Sequence, residues 1–364
     1  MLVLTTTFVV ALLIAWVSIP SIIRVAQEKH LYDEPSERKA HALRVPTLGG
    51  VAIFAGLIIA STFFLESDNN LHFGAIFSAT IILFFTGIKD DIIPLSPIKK
   101  MIAQLLACTI VVIQGEVQLT SLYGLFNVYQ IPDWLGVGIS IFTILVIINA
   151  FNLIDGINGL AGGIAFIVAG TFGIWFFING YQSLSIIAVA LCGALAGFLR
   201  YNLIKAKVFM GDTGSLVIGL ISAILAIQFI ELSQALTVFR GGKAPIFAVA
   251  VLIVPLFDTL RVFIIRVLQK RSPFSGDRNH IHHLLLGIGF SHLKASLTLY
   301  TANLLFIVLA FSLIQLPPLV YLGLITTTAL SLSLLPFYIK QSQAKEPSTK
   351  KVVNPVLQTK NRVA

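Results

Sequence analysis

The chain has 364 residues, of which 57% are hydrophobic and 11% are charged, and it carries a formal net charge of +9. A soluble protein cannot bury so much apolar surface, so the composition excludes a water-soluble enzyme and indicates a polytopic membrane protein. The two cysteines, Cys108 and Cys192, both lie in apolar stretches, which argues against a disulfide framework or a thiolate zinc site.

Eleven stretches are long and apolar enough to cross about 30 Å of hydrocarbon as helices. In chain order they cover residues 2–23, 46–65, 73–89, 99–115, 134–151, 158–178, 183–200, 213–230, 244–267, 296–314 and 318–339. We therefore expect an all-α polytopic membrane protein, with one transmembrane domain over residues 1–340 and a polar, disordered tail over residues 341–364. Between two stretches, the alternation of residues 117–131 around Tyr123 and Gly124 predicts a small hairpin.

The basic residues predict the orientation. Of the 25 Lys and Arg residues, only Arg240 and Lys243 fall in loops on one side of the predicted membrane. Because cytoplasmic loops carry the excess of positive charge, we expect the N-terminus outside and the C-terminus in the cytoplasm. The net charge then reflects topology and attraction to anionic lipids, and not nucleic-acid binding.

In this topology, the acidic side chains best suited to chemistry share the cytoplasmic side of the membrane. They are Asp90, Asp91, Asp155, Asp212, Asp258 and Asp277. Ionisable groups in or beside hydrocarbon are costly and seldom accumulate there without a function. Their grouping predicts a site that holds a metal ion and a phosphorylated substrate against the membrane.

Two cytoplasmic loops offer contacts for a phosphate group. The first has three side chains that either supply orienting charge or face a diphosphate: Arg38, His41 and Arg44. In the second, Asp90 and Asp91 precede Lys100 by ten and nine residues. These charges either bind an anionic head group or pair with one another in an ordinary interfacial loop.

The segment NAFNLIDGINGLAGG, at the end of the fifth stretch, combines polar side chains with glycines. Asn149, Asn152, Asp155 and Asn158 are spaced by three, so on a helix they would form a polar stripe. The glycines favour a broken helix whose backbone approaches a ligand. Asn and Asp side chains have the donors and acceptors needed to read a base or a ribose. Helix capping and interhelical hydrogen bonds explain only one or two of them.

Asp212 begins the eighth stretch, directly after a glycine in VFMGDTGS. It either caps the helix or binds a hard cation at a helix N-terminus that also attracts phosphate. Asp258 and Arg261 lie three apart near the end of the ninth stretch. We expect them to pair at the interface, with a supporting role at the site as the alternative.

The segment SPFSGDRNHIHH brings Arg278, His280, His282 and His283 close together in sequence. The histidine spacing lacks the geometry of a helical zinc site, and no cysteine accompanies it. Arg is a bidentate phosphate donor, and His can donate a hydrogen bond or carry a proton. The cluster therefore predicts a phosphate contact.

Four of these motifs resemble, in this order, the polyprenyl-phosphate N-acetylhexosamine-1-phosphate transferase family. They are the Asp90–Asp91 pair, NAFNLIDGINGLAGG, VFMGDTGS and the HIHH loop, within about residues 20–300. DRNHIHH is similar to the bacterial UDP-GlcNAc:undecaprenyl-phosphate branch, whereas muramoyl-pentapeptide relatives carry P-I-H-H-H-x-E. The resemblance implies transfer of GlcNAc-1-phosphate from UDP-GlcNAc to undecaprenyl phosphate, with release of UMP, at the bacterial plasma membrane. It leaves open another UDP-HexNAc or UDP-MurNAc-pentapeptide donor, and a homodimer.

The resemblance also implies roles for individual residues. It makes Asp212 the principal ligand of Mg²⁺, for which Mn²⁺ could substitute, with Asn152 beside it. Asp90 and Asp91 would flank the lipid phosphate, one of them as a base, and Lys100 would hold that phosphate. Two further sets would line the uridine pocket and close over the diphosphate and sugar: Asp155, Asn158, Asn202 and Phe209, and Arg278, His280, His282 and His283. Asn158 stands where some relatives have a second Asp, so it cannot act as a base here.

A transporter is the rival class of protein. Transporters usually place ionisable or broken-helix features near the membrane midplane, often within inverted repeats. This chain shows no repeat and no predicted charge at the middle of the bilayer, which favours an enzyme.

Overall fold

Helices dominate the computed structural model, which describes residues 1–31, 45–65, 72–270 and 279–345. Within these ranges 80% of the residues are helical and no strand occurs. The first eight helices are α1 (Leu2–Glu28), α2 (Gly49–Phe64), α3 (Phe73–Ile92), α4 (Pro97–Thr109), α5 (Asp133–Ile154), α6 (Leu160–Ile178), α7 (Gln182–Asn202) and α8 (Gly211–Leu232). The remainder are α9 (Lys243–Val251), α10 (Ile253–Leu268), α11 (Ile281–Gly287), α12 (His292–Ser312) and α13 (Pro318–Lys345).

The predicted class, an all-helical multi-pass membrane protein, is confirmed. Eight of the described helices are long and apolar enough to cross a membrane, or nine if α9 and α10 form one bent span. Two shorter apolar helices, α2 and residues 318–334 of α13, coincide with the other predicted stretches. A π-helical turn at Ile110–Gln114 extends α4 to 18 residues. Helix α13 ends at Lys345, beyond the predicted domain boundary at 340, and residues 346–364 lie outside the described ranges.

Helix α8 is the centre of the bundle. Every residue from Thr213 to Ile230 is buried, as expected for a helix that is apolar on all sides. Helices α2, α3, α5 and α6 pack around it. Because lipid tails are as apolar as leucine, such helices associate through close packing, and not through removal of water. The first turn of α8 is therefore held in place by several neighbours at once.

The predicted ninth span, residues 244–267, is bent in the structure. Helices α9 and α10 meet at an angle of 85° at Leu252. Pro255 explains the break, because it has no N–H and its ring clashes with the carbonyl four residues earlier, which is that of Val251. The Val251 carbonyl instead accepts a hydrogen bond at 3.1 Å from the side-chain amide of the buried Asn303. The bend turns Asp258 and Arg261 toward the interior, where both are buried.

The predicted hairpin at residues 117–131 is wrong. This segment contains a 3₁₀ turn at Leu125–Asn127, and Tyr123 and Phe126 have φ angles of 54° and 56°. Residues in this left-handed region cannot continue an extended strand. The segment is fastened by Glu231 at the end of α8, which accepts 2.9 Å bonds from both the backbone N–H and the hydroxyl of Thr120.

Candidate active site

One end of the bundle gathers the polar motifs. The α3–α4, α5–α6 and α7–α8 connections and the start of α11 meet there, and Glu231 fastens the opposite end. The structure thereby brings together Asp90, Asp91, Lys100, Asn152, Asp155, Asp212, His280, His282 and His283. Arg38, His41, Arg44, Asp277 and Arg278 lie outside the described residues.

Asp212 is the focus of this end. It follows Gly211, whose φ of +70° suits glycine and where a Cβ would lie 2.1 Å from the Thr47 carbonyl oxygen. The Asp212 carboxylate accepts a 2.7 Å bond from the Asn152 side-chain amide and contacts the Lys100 ammonium. Its side chain is 23% exposed, so it can reach a ligand. A carboxylate, an amide and an ammonium therefore converge at the start of α8.

The adjacent aspartates have different partners. Both oxygens of Asp91 accept bonds from the first turn of α8: the N–H of Asp212 at 2.8 Å, and the N–H and hydroxyl of Thr213 at 3.0 and 2.6 Å. Asp90 accepts the Leu95 N–H at 2.6 Å and lies 3.4 Å from Lys100. Asp91 thus caps the helix that carries Asp212, while Asp90 pairs with the lysine.

Two glycines that sequence reasoning missed allow this capping. A Cβ on Gly87 would lie 2.4 Å from the Thr213 Cα, and one on Gly50 would lie 2.1 Å from the Gly214 nitrogen. Helices α3 and α2 therefore touch α8 backbone to backbone. The available signal was the spacing of Gly87 and Asp91, which are four apart and so share one face of α3.

The loop between α5 and α6 is held by its neighbours. Asn202, a predicted pocket residue, accepts the Gly159 N–H at 2.6 Å and donates to the Val208 carbonyl at 2.8 Å. Its amide therefore joins the α5–α6 loop to the backbone segment that precedes α8. The buried Asn158 is anchored through its carbonyl, which accepts a 2.8 Å bond from Ser296 of α12.

Asp155 lies at the open side of the same loop. The side chain is half-buried, and burial, with the nearby charge of Asp91 as a smaller cause, raises the pKa of Asp155 to about 7. The polar stripe predicted from Asn149 onward divides here, because Asn149 donates to Gln104 at 3.0 Å, away from Asp212. Only part of that motif faces the site.

Phe209 lies one turn before Asp212 and is half-buried. Its N–H donates to the Pro46 carbonyl at 2.7 Å, and its carbonyl accepts the Gly49 N–H at 2.8 Å. These bonds attach the entry to α8 to the start of α2. The backbone that carries the Phe209 ring, which we predict to stack on a base, is therefore fixed by hydrogen bonds on both sides of the residue.

The HIHH segment approaches from the other side. His282 is 1% exposed and contacts the α5–α6 loop so closely that a Cβ on Gly156 would lie 2.3 Å from its Nε2. Neither ring nitrogen has a hydrogen-bond partner among the described residues. Burial lowers the pKa of His282 to about 3, so the ring is neutral at physiological pH and suits hydrogen bonding, not charge pairing. A buried polar ring without a partner indicates a place where a ligand group can bind.

Asp258 does more than pair with Arg261. The two side chains are 3.4 Å apart, and Asp258 also accepts a 2.9 Å bond from His280 Nδ1.

No group of three or more His, Cys, Asp or Glu side chains suited to a metal occurs within the described ranges.

Comparison with known proteins identifies the family. The model for glycosyl transferase family 4 matches residues 73–230. A relative from Bacillus subtilis (strain 168), named a probable undecaprenyl-phosphate N-acetylglucosaminyl 1-phosphate transferase, is 32% identical over 314 residues, which cover 85% of each chain. The chain belongs to glycosyl transferase family 4. This membership confirms the resemblance carried by the four motifs.

Two further relatives agree with this assignment. Relatives from Yersinia pestis and Escherichia coli (strain K12), both named undecaprenyl-phosphate alpha-N-acetylglucosaminyl 1-phosphate transferase, are each 31% identical to this chain. The matches cover 75% of this chain and 74% and 73% of the two relatives.

Proposed function

We propose that this protein transfers GlcNAc-1-phosphate from UDP-GlcNAc to undecaprenyl phosphate, yielding undecaprenyl-diphosphate-GlcNAc and UMP. The observation that carries the proposal is 31–32% identity, over most of the chain, with relatives named for this transfer. The reaction would initiate synthesis of a cell-envelope polysaccharide.

The chemistry suits the group formed by Asp90, Lys100 and Asp212. An oxygen of the lipid phosphate attacks the phosphorus that carries the sugar, a P–O bond forms, and the P–O bond to UMP breaks. Such transfers depend on alignment and charge neutralisation more than on covalent chemistry by the protein. Lys100 would hold the lipid phosphate. Asp90 is better suited than Asp91 to act as a base, because Asp91 accepts three bonds from the first turn of α8, whereas one oxygen of Asp90 contacts only the Lys100 ammonium among the described residues.

The site suits a Mg²⁺ ion whose ligands come from both the protein and the substrate. It is usually held by one or two carboxylates together with substrate phosphates and water. The partly exposed Asp212 carboxylate, with Asn152 beside it, would supply the protein ligand, and the diphosphate would supply the others. When bound, Mg²⁺ or Mn²⁺ would neutralise charge on the diphosphate.

The donor would lie beside the contact between the α5–α6 loop and the HIHH segment, on the side that faces Asp212. Asp155, Asn158 and Phe209 border the nucleotide side, with Asn202 supporting the loop. His282 would donate a hydrogen bond to the diphosphate, because its neutral ring has a nitrogen without a partner among the described residues. His283 and Arg278 would complete the cover over the sugar. A UDP-MurNAc-pentapeptide donor is the alternative within the same chemistry.

We also propose that this end of the bundle faces the cytoplasm from a bacterial plasma membrane. The basic asymmetry supports an outer N-terminus and a cytoplasmic C-terminus. Eleven crossings agree with that orientation, if α2, α13 and the bent α9–α10 pair each count as one span.

The test is an assay of the purified protein with undecaprenyl phosphate and the two donors in competition. We expect UMP and a GlcNAc lipid with UDP-GlcNAc, and no product with UDP-MurNAc-pentapeptide. A muramoyl-pentapeptide lipid would overturn the donor assignment and preserve the transferase chemistry. Absence of any lipid product under conditions where the Bacillus subtilis relative is active would refute the function.

A further inference from the structure

A buried carboxylate lies behind the histidine segment. The Asp258 side chain is 1% exposed and belongs to α10, beyond the 85° bend. One oxygen accepts the Ile281 N–H at 2.8 Å and lies 3.4 Å from Arg261; the other accepts from His280 at 2.9 Å. An ionised carboxylate is only an acceptor, so the bonded Nδ1 of His280 carries a proton. Asp258 therefore selects both the position and the tautomer of that ring.

Asp258 also fixes the start of α11. His280 is the residue before the helix, but its own side chain makes no capping bond. The Ile281 N–H, which the helix itself cannot satisfy, bonds to Asp258 instead. Arg261 reaches across the same carboxylate to the Asn279 carbonyl. Two side chains of α10 thus bind three consecutive residues, Asn279, His280 and Ile281, the last two of which begin the HIHH segment.

The constraint continues to the candidate donor site. The ring of His280 stacks on that of His282, with centroids 5.6 Å apart and planes 13° apart. His282 in turn contacts Gly156, with no room for a Cβ between them. A displacement of His280 must therefore move His282 relative to the α5–α6 loop.

We propose that Asp258 is a positioning residue for the transfer reaction, which acts through His280 to place the His282 ring against the donor. The assignment rests on the proposed function. It predicts a loss of rate and not of donor affinity, because misplacement by about 1 Å can lower a rate about 100-fold. Asp258 itself touches neither substrate nor metal in this scheme.

The experiment compares Asp258→Asn with Glu231→Gln. Both replace a carboxylate that accepts hydrogen bonds from another segment of the chain, but Glu231 is only partly buried and lies at the opposite end of the bundle. For Asp258→Asn we expect kcat to fall about 10- to 100-fold while KM for UDP-GlcNAc changes less than about 3-fold. Glu231→Gln should keep kcat within about 2-fold. An unchanged kcat in Asp258→Asn, or an equal loss in both variants, would overturn the proposal.

Coupling to His280 separates positioning from general stability. If Asp258 acts through His280, adding Asp258→Asn to His280→Gln should lower kcat no further than His280→Gln alone. Multiplicative losses would show that the two residues act independently, against the proposal. If Asp258→Asn fails to fold, Asp258→Glu takes its place, since it keeps the charge and moves the carboxylate. The same loss of kcat is expected, and a normal kcat would overturn the assignment.

Hydrogen exchange distinguishes this proposal from the proposed function. Backbone amides of Ile281–Gly287 should exchange faster in Asp258→Asn than in the wild type, whereas Glu231→Gln should leave their exchange rates unchanged. Both results are expected whether or not the donor is UDP-GlcNAc. Lack of transfer by the wild-type protein, with this exchange difference present, refutes the function and retains the placement of α11. Unchanged exchange in Asp258→Asn refutes the placement itself.

Discussion

Replacing Gly87 by alanine should separate the two helices on which the α8 cap depends. The new Cβ would lie 2.4 Å from the Cα and 2.5 Å from the nitrogen of Thr213, and both are backbone atoms that cannot rotate away. Ordinary contact begins at 3.4 Å, so α3 and α8 must move apart by about 1 Å. Asp91, four residues further along α3, moves with Gly87 and loses its 2.6–3.0 Å bonds to the first turn of α8.

From this displacement we expect a loss of stability of about 1–3 kcal/mol, as for other overpacked sites. Transfer activity should fall about 100-fold, because Asp212 moves relative to Lys100. The control is Gly74→Ala on the same helix, where a Cβ meets nothing within 4 Å. This control should leave the rate unchanged and should not lower the melting temperature. For both variants, stability is measured by thermal unfolding in detergent and activity by initial rates. A normal rate and a normal melting temperature for Gly87→Ala would refute the reasoning.

Four further predictions concern metal, acceptor, topology and pH. Asp212→Asn keeps the shape but removes the charge that a hard cation needs, so turnover should collapse in a folded protein; near-normal Mg²⁺-dependent activity would remove the metal assignment. Lys100→Ala should mainly raise KM for undecaprenyl phosphate, and an effect confined to KM for UDP-GlcNAc would move Lys100 to the nucleotide side. Cysteines at Lys205 and Thr237 should be labelled from opposite sides of the membrane, and labelling from the same side would contradict the topology. Asp155 has a pKa of about 7 when folded against 3.8 ordinarily, so its contribution favours the folded protein less as pH rises from about 4 to 7. Asp155→Asn should therefore gain melting temperature relative to the wild type at pH 8 and not at pH 4, and an equal difference at both values would count against the raised pKa.

The helices were predictable because apolar length and helix breakers act locally. Residues 179–182 separate α6 from α7, as Asn and Gly in an apolar run predict. The bend at Leu252 was not predictable from Pro255 alone, because Pro20 lies inside the unbroken α1. The difference is tertiary: Asn303, some fifty residues further along the chain, supplies the hydrogen bond to the Val251 carbonyl that Pro255 cannot make.

Adjacency in sequence concealed the difference between Asp90 and Asp91. Consecutive residues on a helix point about 100° apart, so only Asp91 shares the face of Gly87 that meets α8. A pair of adjacent carboxylates suggests mutual repulsion when only the sequence is considered, yet each oxygen pair faces its own donors. The partners of Asp258 could not be predicted from the sequence for another reason. Its bond to His280 joins residues that are 22 apart in the chain, and no local sequence pattern encodes that pairing.

These acidic residues therefore fall into two groups: those that cap the start of a helix and those that contact Lys100. Asp91 and Asp258 each accept hydrogen bonds from backbone N–H groups at the start of a helix in another part of the chain. Asp91 caps α8, which carries Asp212, and Asp258 caps α11, which carries His282. The backbone N–H groups at a helix start need an acceptor, and in a membrane bundle that acceptor comes from another part of the protein. These bonds assign Asp91 and Asp258 a role in positioning the two helices. Asp212 and Asp90, which both contact the Lys100 ammonium, are the carboxylates that the proposed reaction would use. Two members of the predicted carboxylate cluster, Asp91 and Asp258, thus act on the start of a neighbouring helix, which a reading of the sequence alone would have grouped with the substrate-binding residues.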